Sequence, residues 1–253
     1  MLTKIGNSVE KKESSLVVRR AKGEKEVEAA QRLRFEVFNI EMTEGLVSSF
    51  ETGLDRDEYD AHCDHILVLD AARDMVVGTY RLLTGARADA GIGFYSENEF
   101  DLSAIKKQHG EKLELGRACV HKDYRGSAVL NLMWAGIARY IEDYDVRFVF
   151  GCGSIHTINP KILSNIYAYL KTGYMSGDSM RVFPKVLVPG FDPDAALDRR
   201  SVLEIVPPLM LAYMRLGARV CGEPAFDAEF GVSDFLVLLD MERLLERYRN
   251  RYF

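Results

Sequence analysis

Between residues 113 and 141 the sequence runs LELGRACVHKDYRGSAVLNLMWAGIARYI, which reads as a strand, a short turn and a long amphipathic helix. The strand carries two charges, Glu114 and Arg117, in a run that should otherwise be half buried. Successive strand residues face opposite sides of a sheet, so these two side chains should point apart. A β-bulge between them, for which Gly116 is the candidate place, would restore a common face and leave backbone N–H groups unpaired. Such groups can hold the oxyanion that forms when an acyl carbonyl is attacked. Glu114 beside them can take a proton from an attacking amine, directly or through water. Amine, carbonyl, base and oxyanion hole together describe acyl transfer. Without the bulge, Glu114 and Arg117 reduce to an ion pair at a sheet edge.

The turn that follows, Arg125-Gly126-Ser127-Ala128, precedes a helix N-terminus, and a glycine-containing turn there offers free N–H groups to an anion. It is also compatible with an ordinary strand-to-helix connection. His121 closes the strand and could act as acid or base near neutral pH, or serve structure alone. Phe94, Tyr95 and Phe100 form an aromatic group that could line an acyl tunnel or simply fill the core.

The elements that must hold these residues are legible in outline. SLVVRR (15–20) is a short strand. From Glu24 to Met42 the apolar residues Val27, Ala30, Leu33, Val37 and Phe38 fall at helical spacing. Residues 47–64 lack periodicity and form a long loop, of the kind that is usually functional or mobile. HILVLD and MVVGTYRLL make a hairpin about Ala71 to Asp74. A short helix is expected near 97–106, a helix over about 128–144, a buried strand at 146–154 and a helix at 160–173. Pro207 and Pro208 open a helix that runs to Gly217, and FLVLLD leads into a terminal helix. The pattern is three-layer α/β: residues 1–14 as a flexible tail, then one domain over 15–253 with residues 173–253 as its C-terminal extension.

The bulk numbers exclude several classes. A chain of 253 residues with 47% hydrophobic and 28% charged residues is a soluble globular type that buries a core without staples. A net charge of −5 excludes nucleic-acid binding by overall electrostatics. The four cysteines, Cys63, Cys119, Cys152 and Cys221, form no C-x-x-C pair and signal neither zinc nor redox chemistry. The first residues lack a signal-peptide core, and no run approaches the ~20 apolar residues of a membrane span. The expected location is cytoplasmic. PPLMLAYMRLGARV is apolar enough for peripheral contact with the inner membrane face, or to be a core helix.

The ordered stretches RLRFEVFNIEM, DEYDAHCDHILV, VGTYRLL, GFYSENEFDL, LELGRACVHKDYRG and FGCGS resemble bacterial ornithine lipid synthases of the L-ornithine N-alpha-acyltransferase type, often labelled "hemolysin". The likeness extends over roughly residues 15–250. More distantly the chain resembles acyl-homoserine-lactone synthases. Both families have the GNAT fold, a mixed central sheet flanked by helices, and use acyl carrier protein thioesters. The lactone-synthase signature maps onto Arg34 and Phe38, then Asp57 and Asp60, then Arg81, and finally Glu114 and Arg117. The tryptophan those synthases often carry after the first helix has no counterpart, since Trp134 is the sole tryptophan here. That departure turns the expectation from lactone formation to a different amine.

The resemblance implies transfer of a 3-hydroxyacyl group from acyl carrier protein to the α-amine of ornithine, giving lyso-ornithine lipid. Glu114 and Arg117 would be catalytic. Arg34, Phe38, Asp57, Asp60, Arg81 and Phe94 would bind substrate. Ala118, Cys119, Lys122, Arg125, Gly126 and Ser127 would bind the donor. Asp57 and Asp60 can pair with substrate amines or hold Arg34 and Arg81. The second role is favoured, because a buried guanidinium such as that of Arg81 needs an acid. GNAT enzymes that use acetyl-CoA hold its pyrophosphate on an Arg/Gln-x-x-Gly-x-Gly/Ala turn. Here Ala128 and Leu130 fill the glycine positions, which favours the phosphopantetheine of acyl carrier protein as donor, with acyl-CoA as the second option. The acidic carrier would dock on basic residues such as Lys122, Arg125 or Arg139, with Lys106 and Lys107 as others. No metal or bound cofactor is expected. The alternatives are an N-acyl amino acid synthase with another acceptor and an inactive acyl-binding GNAT domain. A membrane-lysing protein finds little support, for want of a span or a long cationic amphipathic helix.

Overall fold

The computed structural model describes residues 15–228, 230–244 and 246–253; the expected tail over 1–14 lies outside the described residues. The strands are β1 (Leu16–Arg20), β2 (Asp64–Asp70), β3 (Met75–Thr84), β4 (Phe100–Asp101), β5 (Glu111–Val120), β6 (Val146–Ile155), β7 (Phe183–Pro184), β8 (Arg219–Val220), β9 (Ala225–Asp227) and β10 (Val232–Asp240). Eight of them form one sheet in the order β1-β2-β3-β5-β6-β10-β8, with β9 also on β10. All its pairings are antiparallel except β5 with β6. β4 and β7 make a small separate ladder. The helices are α1 (Glu24–Arg34), α2 (Ser49–Thr52), α3 (Gly85–Asp89), α4 (Ser103–Lys106), α5 (Ser127–Asp143), α6 (Pro160–Leu170), α7 (Arg199–Ile205), α8 (Pro208–Leu216) and α9 (Glu246–Tyr252).

Local chemistry accounts for the main boundaries. α1 continues as a π-helical run over Phe35–Glu41, where Met42 N donates to Val37 O at 3.0 Å. Asn159 caps α6 by accepting from Lys161 N and Ile162 N, with Pro160 in the first turn. Gly217 ends α8 in the left-handed conformation. Parallel strands need a crossover, and α5 supplies it between β5 and β6. The segment after Gly173 is no appendage, because β10 pairs along nearly all of β6.

The sheet has a core on each face. On one, Trp134, Ile137, Ile166 and Met210 from the helices pack on Leu82, Val149 and Val237. The last of these helices is α8, so its apolar face is spent on the core. On the other, Phe94, Phe100 and Ile105 cover Leu83, Phe150 and Leu236. The β5–β6 ladder runs from Glu111↔Val146 to Glu114↔Phe150 and stops, although both strands continue. Gly151 sits where they part. A Cβ there would lie 2.3 Å from the Leu115 carbonyl oxygen.

A buried ion network ties α1 and the 55–60 loop to the sheet. Arg34 is 0% exposed. Its Nε donates to Asp55 Oδ1 at 2.8 Å, and Nη1 and Nη2 donate to Asp60 Oδ1 and Oδ2, each at 2.8 Å. Nη2 also donates to the Asp55 carbonyl oxygen. Arg81 Nη1 donates to Asp57 Oδ1 at 2.6 Å and lies 3.5 Å from Asp60 Oδ1. Asp57 and Asp60 cap the 58–62 turn reciprocally, with Asp57 Oδ1 accepting from Tyr59 N and Asp60 Oδ2 from Asp57 N. The long loop is therefore ordered by charge. Burial opposes the Asp60 charge, but the Arg34 hydrogen bonds and the Arg34 and Arg81 charges outweigh it and hold the carboxyl well below its usual range.

Two outcomes follow. Asp60→Asn leaves Arg34 partly unneutralised in the core and should cost about 3–5 kcal/mol in urea unfolding. Asp60's depressed pKa contributes stability that is complete above its unfolded value of ~4 and is lost as pH falls through the folded one, so the variant should also flatten the acid limb of stability against pH. Gly151→Ala must push β6 off the Leu115 carbonyl and should lower stability by ~1–3 kcal/mol, read as a fall in Tm.

Candidate active site

β5 carries a bulge. In the β3–β5 register Thr79 faces Cys119 and Arg81 faces Gly116, so Tyr80 lies opposite both Arg117 and Ala118. The bulge is at Arg117, one residue after the glycine expected to host it; Arg117 takes the left-handed conformation with φ 51°. A non-glycine residue at such an angle is held by its surroundings. Arg117 Nη1 lies 3.5 Å from Asp55 Oδ2 and Nη2 lies 3.8 Å from Asp57 Oδ2. Its guanidinium stacks over Phe230 at 4.9 Å and Phe38 at 5.8 Å. The extra residue brings Arg117 to the cleft that Glu114 also lines. Past Glu114, the β5 backbone groups that would face β6 have no ladder partner.

Glu114 is buried, and its carboxylate is held by the 95–96 turn. Oε2 accepts from Tyr95 N at 2.7 Å, and Oε1 accepts from Ser96 N at 2.7 Å and Ser96 Oγ at 2.6 Å. Burial pushes its pKa up, against the lowering effect of these hydrogen bonds and of the Arg81 charge. Oε2 accepts one hydrogen bond and keeps acceptor capacity for a second partner.

Glu114 and Arg117 line a cleft of about 580 Å³ together with Phe38, Arg81, Ala118, Cys119 and Arg125. Cys119 is buried against Leu33 and Val37, and burial pushes its thiol up to about 12. Arg125 is exposed and pairs with Glu41 at the rim. Other expected residues stand back from the cleft. Arg34, Asp57 and Asp60 are occupied in the ion network, so the acids hold arginines. Phe94 lies in the core, edge-on to Phe150 at 4.9 Å, and Phe100 is buried in the same cluster. Of the three aromatics, Tyr95 alone lines the cleft. Lys122 is exposed beyond it. Gly126 is the extended N-cap of α5, which has no side-chain cap. Ser127 opens α5, and its side chain lies outside the described set. Ala128 and Leu130 are already helical. His121 accepts from Asp123 N at 3.3 Å and packs edge-on to Tyr124.

The same cleft holds acids that pattern reading missed. Glu99, Asp227 and Asp234 line it with Cys152 and Ser154. Ligand atoms of Glu99, Cys152 and Asp234 lie within 4.8 Å of one another. Burial, then the Asp234 and Asp227 charges, push Glu99 up to about 9. Burial also raises Asp234, to about 6, against a hydrogen bond from Ser154 Oγ at 2.7 Å. Ser96 links this group to Glu114, since its Oγ lies 3.3 Å from Cys152 Sγ. One signal was available: Asp234 immediately precedes the apolar run FLVLL of its strand. Glu99 had none.

Below the point where β5 and β6 part is a second, apolar crevice of about 40 Å³, which shares Leu115, Cys152 and Tyr213 with the cleft. Among the described residues no helix is long and apolar enough to cross a membrane.

Residues 33–135 match the acetyltransferase (GNAT) domain family. Among solved structures, the chain is similar to FeeM, an N-acyl amino acid synthase from uncultured soil microbes, with TM-score 0.52 and 12% identity over 91% of this chain and 95% of that one. The AHL synthase LasI gives TM-score 0.50 and 13% identity over 90% and 91% of the two chains. These likenesses establish the GNAT fold. Curated relatives extend further. The L-ornithine N(alpha)-acyltransferase of Rhodobacter capsulatus is 36% identical over 250 residues, covering 94% of this chain and 95% of the relative. The enzyme of the same name from Brucella abortus is 34% identical, covering 94% and 89%. With identity of this level sustained along nearly its whole length, on a GNAT sheet that opens beside a bulged strand, this chain belongs to the L-ornithine N(alpha)-acyltransferase family.

Proposed function

We propose that the protein transfers a 3-hydroxyacyl group from the phosphopantetheine thioester of acyl carrier protein to the α-amine of L-ornithine, giving lyso-ornithine lipid. The observation that carries this reading is the bulge at Arg117 beside Glu114, at the mouth of the β5–β6 opening. The thioester enters between the two strands, with its acyl chain directed at the apolar crevice lined by Leu115, Trp134 and Val237. Its carbonyl oxygen meets β5 backbone N–H groups within residues 115–119. The amine lone pair attacks the carbonyl carbon, and Glu114 takes the amine proton directly or through water. The tetrahedral intermediate collapses, the C–S bond breaks, and the departing thiolate takes up the proton that Glu114 received from the amine. A carboxyl raised by burial is a better base than an ordinary glutamate, which suits this role.

Arg117 carries no hydrogen bond among the described residues, only longer ionic and stacking contacts. We assign it the acceptor's carboxylate, a bidentate partner that guanidinium suits. The start of α5 supports the carrier protein over acyl-CoA as donor. Its glycine positions are filled and already helical, while its uncapped N-terminus and Arg125 at the rim attract a single phosphate and an acidic partner.

Pure protein incubated with 3-hydroxyacyl carrier protein and a panel of amines should release free thiol when ornithine is present. Release only with another amine would make it a different N-acyl amino acid synthase, and none with any amine would make it an acyl-binding domain. Glu114→Gln should slow ornithine-dependent release by ~10²–10⁴-fold. In the wild type, the base is lost as pH falls through the raised Glu114 pKa, so the acid limb of kcat/KM should lie above that of an ordinary glutamate; a variant with wild-type turnover would remove Glu114 as base.

A further inference from the structure

The acids named for substrate amines by resemblance, Asp57 and Asp60, are taken up by arginines. Glu99 and Asp234 on the cleft wall are not. Glu99 is 8% exposed and Asp234 2%. Glu99 Oε1 lies 3.5 Å from the thiol of Cys152, Oε2 receives no hydrogen bond from a donor among the described residues, and the carboxyl's other polar contact is the Asp234 carboxyl. A buried carboxylate oxygen without a donor is costly and marks a place where something is bound. Asp234 has the Ser154 hydroxyl, and the cleft imidazole whose charge acts on it, that of His156, is paired with Glu44 at 2.9 Å. The two carboxyls can meet each other only by sharing a proton, and a cation entering between them would replace that proton. Arg117, Glu99 and Asp234 line the same cleft, which puts the acid pair and the arginine before one bound substrate.

We propose that Glu99 and Asp234 form the specificity pocket for the side-chain ammonium of the acceptor amino acid. This rests on the acyl-transfer reading above and goes beyond it by naming what selects a diamino acid over a neutral one. Arg117 takes the carboxylate at one end, the acid pair takes the distal ammonium at the other, and the α-amine between them is left to face the thioester. A primary ammonium presents three donors, matching the open oxygens of Glu99 and Asp234. A metal fits the donor set less well, because one thiol and two carboxylates make no closed tetrahedral nitrogen–sulfur site.

The test compares L-ornithine with L-norvaline, which keeps the three-carbon side chain and lacks its amine, using 3-hydroxyacyl carrier protein as donor. Wild type should favour ornithine. Glu99→Gln and Asp234→Asn should each lower kcat/KM for ornithine by ~10–100-fold, mainly through KM, and bring the ornithine-to-norvaline ratio toward one. Asp234→Glu should retain part of the preference. An amide keeps the volume of each acid and strands no charge in the core, so both neutral variants should melt close to wild type. Folded variants that keep the wild-type ratio would overturn the pocket and leave the acyl-transfer reading standing. So would a wild type that uses norvaline as well as ornithine. Wild-type turnover lost to a chelator and restored by zinc would assign the acids to a metal instead. Calorimetry separates the two levels: ornithine binding without turnover keeps the pocket and sinks the transferase, and binding of neither amino acid sinks both.

Discussion

Arg34 is a full charge buried away from solvent, and the site is built on the carboxylates that make this tolerable. Its planar fork fixes the two oxygens of Asp60 and one of Asp55, which sets the path of the 55–60 loop relative to α1. Asp60 and Asp57 then reach Arg81 on β3, so a helix, a loop and a central strand share one set of charges. Apolar residues of similar volume could pack such a space at comparable stability. They would not fix orientation, because hydrophobic contact is not directional. Here the directional partner matters, since Asp55 and Asp57 each turn a remaining oxygen toward Arg117.

The bulge in β5 is the next consequence. A left-handed arginine costs on the order of 1–3 kcal/mol in backbone strain. Two carboxylate oxygens and the faces of Phe38 and Phe230 offset it. In return the strand gains a residue and Arg117 joins Glu114 at the cleft, on the stretch of β5 that has already parted from β6 past Glu114. Gly151 lets β6 leave without striking the Leu115 carbonyl. Charge network, bulge and strand opening form one connected device, and each part is poorly explained without the others.

The sequence shows much of this because the signals are local. Apolar spacing marks α1, α5 and α6, and the 71–74 turn marks the β2–β3 hairpin. Charges in apolar strands mark Glu114, Arg117 and Arg81. The bulge was expected at Gly116 because glycine permits it, whereas the structure puts it at Arg117, whose partners lie some sixty residues earlier in the chain. Phe94 was expected in a substrate tunnel, but its packing on Phe150 depends on where β6 runs. Asp55 is one acid among several in LDRDEYD until Arg34 selects it. Glu99 and Asp234 are brought together only because β10 returns beside β6, which no local pattern announces.

The carboxylates in and behind the cleft are sorted by environment. Asp60, hydrogen-bonded to a guanidinium, is held ionised far below the ordinary range. Glu99 and Asp234, buried beside each other and beside Asp227, are raised instead. Glu114 stands between these extremes, raised by burial but held by three donors from one turn. Acids whose environments push them apart in this way take different roles. The first kind is architecture, because its charge is already answered by the protein. The second can accept a charge from outside at little electrostatic cost, because what it gives up is a shared proton. The third suits the proton transfer proposed for it, because burial raises its affinity for a proton and one oxygen keeps an open lone pair. A mixed sheet that opens at one ladder therefore presents two kinds of carboxylate to its cleft and keeps a third behind it, and the neighbours of each decide which kind it is.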